Sequence, residues 1–89
     1  MKEEKKSGGG SQRVDVEIYG EIYHLRTDDP EGLAQLVQIV DSTMKSVART
    51  TRTLAGSHIA VMSALKIAED YLQLKKDYDE LLALLDDNK

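Results

Sequence analysis

The side chains in this chain that are best suited to chemistry are two histidines, His24 and His58, and two acidic pairs, Asp28-Asp29 and Asp86-Asp87. The histidines show neither an HxxxH nor an HxxE spacing, and the chain has no cysteine that could complete a metal site. The acidic pairs lie at predicted helix or chain ends, where solvated charge is the usual arrangement. We therefore expect a protein that is not an enzyme and that holds no metal or cofactor.

A second chemical feature is a long stretch without acidic residues. The chain has a net charge of −4, yet it carries no Asp or Glu between Asp41 and Glu69. Four basic residues lie within that stretch: Lys45, Arg49, Arg52 and Lys66. Basic side chains near a helix end complement the helix dipole, whereas a local excess of positive charge also suits docking to an acidic protein. The residues alone leave both interpretations open.

The composition indicates one small, helix-rich domain with a thin core. The 89 residues include no Phe or Trp and one Pro, with 40% hydrophobic and 31% charged residues. Domains of this size bury only about 60% of their unfolded surface, so association with a second chain is a common remedy. The absence of cysteine excludes disulfides, and no apolar run approaches the ~20 residues of a membrane span. The charged start is not a signal peptide, so we expect a cytoplasmic protein.

Residues 14–26 predict a β-hairpin because apolar and polar residues alternate along both halves. A type II′ turn at Gly20-Glu21 would place glycine at the position that needs a positive φ. This turn gives an apolar face that pairs Ile18 with Tyr23, Val16 with Leu25, and Val14 with Thr27. The other face pairs Asp15 with Arg26, Glu17 with His24, and Tyr19 with Ile22. A two-stranded ribbon is marginal alone, so its apolar face is expected to lie on helices.

Two helices are predicted after the hairpin. Asp29 suits the N-cap of the first helix and Pro30 its first position. Its apolar face is marked at helical spacing by Leu33, Leu36, Val37, Val40, Met44, Val47 and Ala48. The pattern fades at Thr50, and residues 50–56 are expected to connect to a second helix. That helix is expected to begin after an N-cap at Ser57 and to run to about Asp86.

The second helix carries the a/d pattern of a coiled coil, with apolar residues at alternating spacings of four and three. This seam consists of Ala60, Ala64, Ile67, Tyr71, Leu74, Tyr78, Leu81 and Leu85. The first half of the helix has a second apolar stripe, formed by Val61, Leu65, Ala68 and Leu72. We expect the upper half to be buried on two sides and the lower half to project as a stalk that pairs with a second copy or a partner helix.

These patterns predict the α+β class: an N-terminal β-hairpin packed on two helices, the second a long coiled-coil helix, in a dimer. Along the chain we expect a flexible tail over residues 1–12, which are charged and glycine-rich. A head of hairpin, helix and helix is expected over residues 13–74, and a C-terminal coiled-coil end over residues 75–89.

The strand ending in Ile-Tyr-Gly, the return strand Ile-Tyr-His-Leu, the Asp-rich helix start and the segment 59–72 (IAVMSALKIAEDYL) resemble the ZapA family of bacterial cell-division proteins. The resemblance covers residues 14–85, and segment 59–72 is its most specific part. Lys66 stands where the family commonly carries Asn. The chain also stops early, like the short, Bacillus-like members with a truncated coiled coil, which leaves dimers and tetramers open.

The resemblance implies a non-enzymatic homodimer that binds the tubulin-like division GTPase FtsZ. Such proteins cross-link FtsZ protofilaments at midcell and promote assembly of the division ring. The family motif does not identify the docking residues. From charge and expected exposure we select Lys45, Arg49 and Arg52, with Glu21 and Arg26 of the hairpin as weaker candidates.

Two other functions fit parts of the pattern. A coiled-coil dimeric adaptor with an unrelated target shares the seam and is the main alternative. A DNA-binding protein of the ribbon–helix–helix type places basic or amide side chains of a strand in the major groove. Here the outward strand positions are Asp15, Glu17 and Tyr19, and the acidic chain would repel phosphates. The DNA-binding function is therefore disfavoured.

Overall fold

The chain folds as a β-hairpin followed by two helices. The computed structural model describes residues 10–52 and 55–87, with the side chain of Asp87 excepted. The elements are β1 (Gln12–Ile18), β2 (Glu21–Thr27), α1 (Pro30–Thr50) and α2 (Gly56–Asp87). β1 packs on α1, and α1 packs on α2. The predicted class, with a hairpin and a long second helix, is confirmed.

The predicted tail and the first strand overlap at their boundary. Residues 1–9 of the predicted tail lie outside the described residues. Gln12, the last residue of that predicted tail, is already the first residue of β1 and pairs with Thr27. The ordered hairpin therefore begins slightly earlier than the alternating apolar pattern indicated.

The hairpin turns one residue earlier than predicted. Tyr19 and Gly20 connect the strands with φ values of 51° and 85°, and two positive values are typical of a type I′ turn. The predicted type II′ turn at Gly20-Glu21 is therefore wrong, and pairing shifts by two residues, so that Val16 lies opposite Tyr23. Because side chains alternate with a period of two, this shift keeps the apolar residues on one face.

The corrected register also changes the charge pairs on the outer face of the hairpin. His24 lies opposite Asp15, and its Nδ1 is 2.7 Å from Asp15 Oδ1. The predicted partners, Glu17 for His24 and Asp15 for Arg26, are wrong. Arg26 instead lies opposite Arg13.

Helix α1 begins and ends where its sequence signals place it. Pro30 is its first residue, and Asp29 Oδ1 accepts a hydrogen bond of 3.0 Å from the backbone N–H of Gly32. This bond satisfies one of the free N–H groups of the first turn. A side chain at Gly32 would collide with the Asp29 carboxylate, so glycine permits this cap. The helix ends at Thr50, and Thr51 is extended.

Helix α2 starts before its predicted cap. Its first residue is Gly56, and the N–H of Ile59 donates to the carbonyl of Ala55 at 3.1 Å. Ser57 therefore lies within the first turn and is not the N-cap. The helix has 32 residues, which at about 1.5 Å per residue give a rod of about 48 Å.

The core is small and lies at the contact between the two helices. Among the described residues, the buried side chains are Met44 of α1 (8% exposed) and Ile59 (0%) and Ser63 (2%) of α2. Ile59, Ser63 and the half-buried Ile67 follow one another at spacings of four, so they form one face of α2. The Ser63 hydroxyl oxygen is buried without a hydrogen-bond partner.

We expect Ser63→Ala to stabilise the protein. Alanine removes the unpaired buried hydroxyl and is the better helix former, so the free energy of unfolding should rise by about 1 kcal/mol. Ser57→Ala, at an exposed position of the same helix, is the control and should change stability little. Urea unfolding followed by circular dichroism at fixed protein concentration measures both. A loss of stability in Ser63→Ala would mean that the hydroxyl does have a partner in solution.

Candidate functional site

Asp41 joins the hairpin turn to the middle of α1. Its Oδ1 accepts a hydrogen bond of 2.8 Å from the backbone N–H of Tyr19, and its Oδ2 lies 2.9 Å from Lys45 Nζ. The bond to Tyr19 and, next, the one to Lys45 lower the pKa of Asp41. Tyr19 has a left-handed backbone, which costs a non-glycine residue about 1–2 kcal/mol. The Asp41 carboxylate therefore holds a turn conformation that the sequence around Tyr19 does not favour.

The three predicted docking residues of the basic stretch differ in their surroundings. Lys45 is paired with Asp41, one turn earlier on α1. Arg49 lies exposed in the last turn of α1, and Arg52 lies exposed two residues beyond its end. Neither arginine forms an ion pair with another described residue. Within the stretch that lacks acidic residues, the basic side chains outside ion pairs with described residues therefore lie at the C-terminal end of α1 and at the start of the connection.

Lys66, the fourth basic residue of the stretch, is also paired. Its Nζ lies 3.0 Å from Asp70 Oδ1, one turn later on α2. The hydrogen bond to Asp70 raises the pKa of Lys66. Because the pair is exposed and screened by solvent, it adds little to the stability of the fold.

The structure does not bring the two hairpin candidates together. Glu21 and Arg26 are five residues apart on β2, so their side chains point to opposite faces. Glu21 Oε1 accepts a hydrogen bond of 3.3 Å from the Tyr23 hydroxyl, and its charge raises the pKa of Tyr23. Arg26 Nη1 donates to Ser11 Oγ at 3.4 Å. These two side chains do not form one surface.

The predicted seam of α2 faces solvent over most of its length. Ile67 is half-buried, and the other seven seam residues are exposed, Leu74 to 69%. All four residues of the second stripe, Val61, Leu65, Ala68 and Leu72, are exposed as well. The prediction that the upper half of α2 is buried on two sides is therefore not met within this chain.

The face of α2 that α1 does cover was missed in the sequence. It is centred on Ile59 and Ser63, and the apolar spacing of this face is interrupted because Ser63 is itself polar. Serine at a helix contact is small enough to let two helices approach closely, a signal that hydrophobic periodicity does not detect. The ion pair of Asp41 and Lys45 was also missed, although its i,i+4 spacing can be read in the sequence.

The described residues were also searched for metal-binding groups and for helices that could span a membrane. No group of three His, Asp or Glu side chains within residues 10–52 and 55–87 is placed to hold a metal ion. None of the described helices is both long and apolar enough to cross a membrane. The described surface has exposed apolar stripes on α2 and, at the end of α1 and the start of the connection, the exposed side chains of Arg49 and Arg52.

Comparison with known proteins identifies the family. The model of the family described as "Cell division protein ZapA" matches residues 14–88. The chain belongs to the ZapA family. This assignment confirms the resemblance that the hairpin and segment 59–72 indicated. Membership of the family implies a role in cell division.

Curated relatives extend over nearly the same part of the chain. A "Cell division protein ZapA" of a Geobacillus species is 37% identical over 78 residues, which are 86% of this chain and 90% of the relative. The protein of the same name in Oceanobacillus iheyensis is 40% identical over 72 residues, or 80% and 84% of the two chains. That of Bacillus mycoides is 32% identical over 74 residues, or 82% and 83%. No solved structure is significantly similar to the chain.

We expect Asp41→Ala to lower the thermal midpoint by several degrees, because it removes the acceptor that holds Tyr19. Lys45→Ala is the control, since it removes the exposed ion pair and leaves the bond to Tyr19. It should lower the midpoint less. Equal losses in the two variants would show that the ion pair, and not the bond to the turn, makes the contribution.

The same contact predicts a dependence of stability on pH. The folded structure lowers the pKa of Asp41. The ionised carboxylate therefore stabilises the fold at pH values above the pKa that Asp41 has in the unfolded chain. This stabilisation is lost as the pH falls through the lower pKa of Asp41 in the folded protein. The midpoint of the wild type should therefore fall further than that of Asp41→Asn between pH 6 and about pH 3. Parallel curves for the two proteins would contradict the assignment.

Proposed function

We propose that the chain is a homodimer that binds FtsZ at midcell and cross-links its protofilaments, without catalysing a reaction. Membership of the ZapA family supports a role in division. The observation that carries the mechanism is the exposed apolar seam of α2, which gives two copies a way to associate. A symmetric dimer holds two docking surfaces at a fixed separation, which is what a cross-linker of filaments requires.

The large apolar surface that the seam exposes to water within one chain supports the proposal of a dimer. The seam extends from Ala60 to Leu85, a distance of about 38 Å along a helix at ~1.5 Å per residue. Monomeric proteins rarely expose continuous apolar surface on this scale. Burying a leucine-sized side chain contributes roughly 1.5–3 kcal/mol. Pairing of the exposed leucines and tyrosines along the seam therefore offsets the entropic cost of bringing two chains together.

We expect Leu74→Glu to dissociate the dimer, because a carboxylate would be placed in the apolar seam without a partner. Leu74 is largely exposed within one chain, so the substitution tests association and not the packing of the head. Gln73→Glu is the matched control, since it adds the same charge at the neighbouring position, away from the seam. Light scattering over a concentration series gives the mass of each protein. A dimeric mass for Leu74→Glu would refute the seam.

The docking surface for FtsZ is proposed at the end of α1. Arg49 and Arg52 are exposed and lie in the stretch that contains no acidic residue. Lys45 lies one turn before Arg49 and adds to the same positive potential, although its ammonium group is paired with Asp41. In a dimer this surface occurs twice, so each copy presents one site to an acidic partner. Glu21 and Arg26 are secondary candidates, because they lie on opposite faces of the hairpin.

We expect Arg49→Glu combined with Arg52→Glu to abolish co-sedimentation with FtsZ polymers, while mass and helicity stay unchanged. Charge reversal is informative because charges at the rim of an interface act through long-range attraction and repulsion. Lys75→Glu combined with Lys76→Glu changes the net charge equally on the lower half of α2 and should leave binding intact. Binding by the wild type should also weaken near 0.4 M salt, where the Debye length is about 5 Å.

Two outcomes would contradict parts of this proposal. Co-sedimentation that survives both the arginine reversal and the salt would remove the docking surface from the end of α1. A stable wild-type dimer that never co-sediments with FtsZ would favour the alternative function, a coiled-coil adaptor with another target.

A further inference from the structure

The second strand of the hairpin has an open edge. β2 pairs with β1 on one side, and within the described residues no strand lies on its other side. Six of its seven residues are exposed. Natural proteins protect such edges with lysine, proline or a bulge. β2 contains neither lysine nor proline, and it pairs with β1 through all seven residues without a bulge. The edge is therefore suited to pairing with another strand.

Three residues of β2 direct their backbone groups to this edge. In a two-residue hairpin the closing pair, here Ile18 and Glu21, exchanges both backbone hydrogen bonds, and every second pair after it does the same. The residues of β2 in the remaining pairs are Ile22, His24 and Arg26. Because their N–H and C=O groups point away from β1, an added strand would find three donors and three acceptors in line.

The outer face of the hairpin carries a gradient of charge. At the open end Arg13 lies opposite Arg26, and neither forms an ion pair with a described residue. Like charges in opposite positions destabilise a two-stranded sheet. In the middle, His24 is 2.7 Å from its acidic partner, and next to the turn Glu17 lies opposite Ile22. The face is therefore positive at the open end, balanced in the middle and negative near the turn.

A second copy of β2, running antiparallel, fits both the backbone groups and these charges. Only a symmetric register centred on His24 pairs all three residues, because it sets Ile22 opposite Arg26 of the second copy on both sides of the centre. The two His24 side chains meet at the centre, and each remains paired with Asp15 of its own chain. The charge gradients of the two hairpins then run in opposite directions. Each arginine pair therefore shares a row of side chains with Glu17 of the other hairpin, an opposite charge that the row lacks in a single hairpin.

The same register pairs apolar side chains on the inner face of the hairpin. β1 is the strand that packs on α1, and on β2 the side chains of Tyr23 and Leu25 remain 43% and 37% exposed. Because side chains alternate along a strand, a register centred on His24 sets Tyr23 of each copy opposite Leu25 of the other. Aromatic and aliphatic side chains in opposite positions stabilise a sheet. Both faces of β2 therefore favour a second β2 at the edge.

We propose that β2 pairs with β2 of a second copy and joins two hairpins into one four-stranded antiparallel sheet. The contact is isologous, since the same surface is used on both copies. Two seven-residue strands bury less surface than a stable interface needs, so this contact is weaker than the seam of α2. It joins dimers that are already concentrated, as they would be along a filament, and each dimer presents two such edges. That role rests on the proposed function, whereas the pairing of the edges itself requires no FtsZ.

Ile22 offers a matched pair of variants that separate the edge from the hairpin. Ile22→Lys sets a lysine opposite Glu17 of its own chain, which favours the hairpin, and opposite Arg26 of the second copy, which opposes the pairing. Ile22→Glu reverses both relations, because its carboxylate lies opposite Glu17 within the chain and opposite Arg26 across the edge. A general loss of hairpin structure would therefore affect Ile22→Glu more, whereas a loss of edge pairing affects Ile22→Lys.

Amide hydrogen exchange followed by NMR over a concentration series measures the edge directly. In the wild type the N–H groups of Ile22, His24 and Arg26 should gain protection of about tenfold or more as the concentration rises. The N–H groups of Tyr23 and Leu25, which are bonded to β1, should be protected at every concentration. Ile22→Lys should keep the three edge amides in fast exchange, and Ile22→Glu should retain their protection. Sedimentation equilibrium should show masses above that of the dimer at high concentration for the wild type and Ile22→Glu alone.

Three results would overturn the pairing. The first is fast exchange of the edge amides in the wild type at every concentration. The second is equal protection in the wild type and Ile22→Lys, because a lysine opposite an arginine would oppose the proposed register. The third is protection that appears only when FtsZ polymers are added, which would assign the edge to FtsZ. The concentration series contains no FtsZ, so its outcome is separate from failure of the wild type to co-sediment with FtsZ.

Discussion

The long helix α2 exposes most of its apolar side chains within the single chain. The helix has 32 residues, and α1 buries only its face around Ile59 and Ser63. Long helices in water gain most of their stability from packing, because intrinsic helix propensity is weak. The seam residues after Ile67 are exposed to solvent in the part of the chain that the structure describes. A second chain along the seam would supply this packing and would at the same time create a two-headed molecule.

The head is held by a few polar contacts at defined positions. Asp29 caps α1 at its start, and Asp41 reaches from the middle of α1 to the backbone of Tyr19. The Asp41 carboxylate therefore joins the hairpin turn to α1, where the apolar contact is thin. The residues that follow Asp41 along α1 and the connection are basic or neutral as far as Glu69, so the contact that holds the hairpin turn adjoins the positive surface.

The elements were predictable from the sequence where local residues decide them. Asp29 and Pro30 set the start of α1 by their own geometry, and strict alternation identified the strands. The turn was not predictable, because Tyr19 adopts a positive φ that depends on Asp41, 22 residues further along. Ser63 was not predicted to be a buried contact residue, because its small side chain lets the helices approach and hydrophobic spacing does not detect this property. Arg49 and Arg52 were found from the charge pattern of the sequence, and their exposure agrees with that choice.

We propose that a second copy of the chain covers the seam of α2. Sedimentation equilibrium of the wild-type protein, with far-ultraviolet circular dichroism at the same concentrations, tests it most directly. A dimer should have a mass of about 20 kDa, twice the 9.9 kDa of the chain, and should lose helicity when dilution separates the copies. A mass of 9.9 kDa with full helicity at every concentration would contradict it.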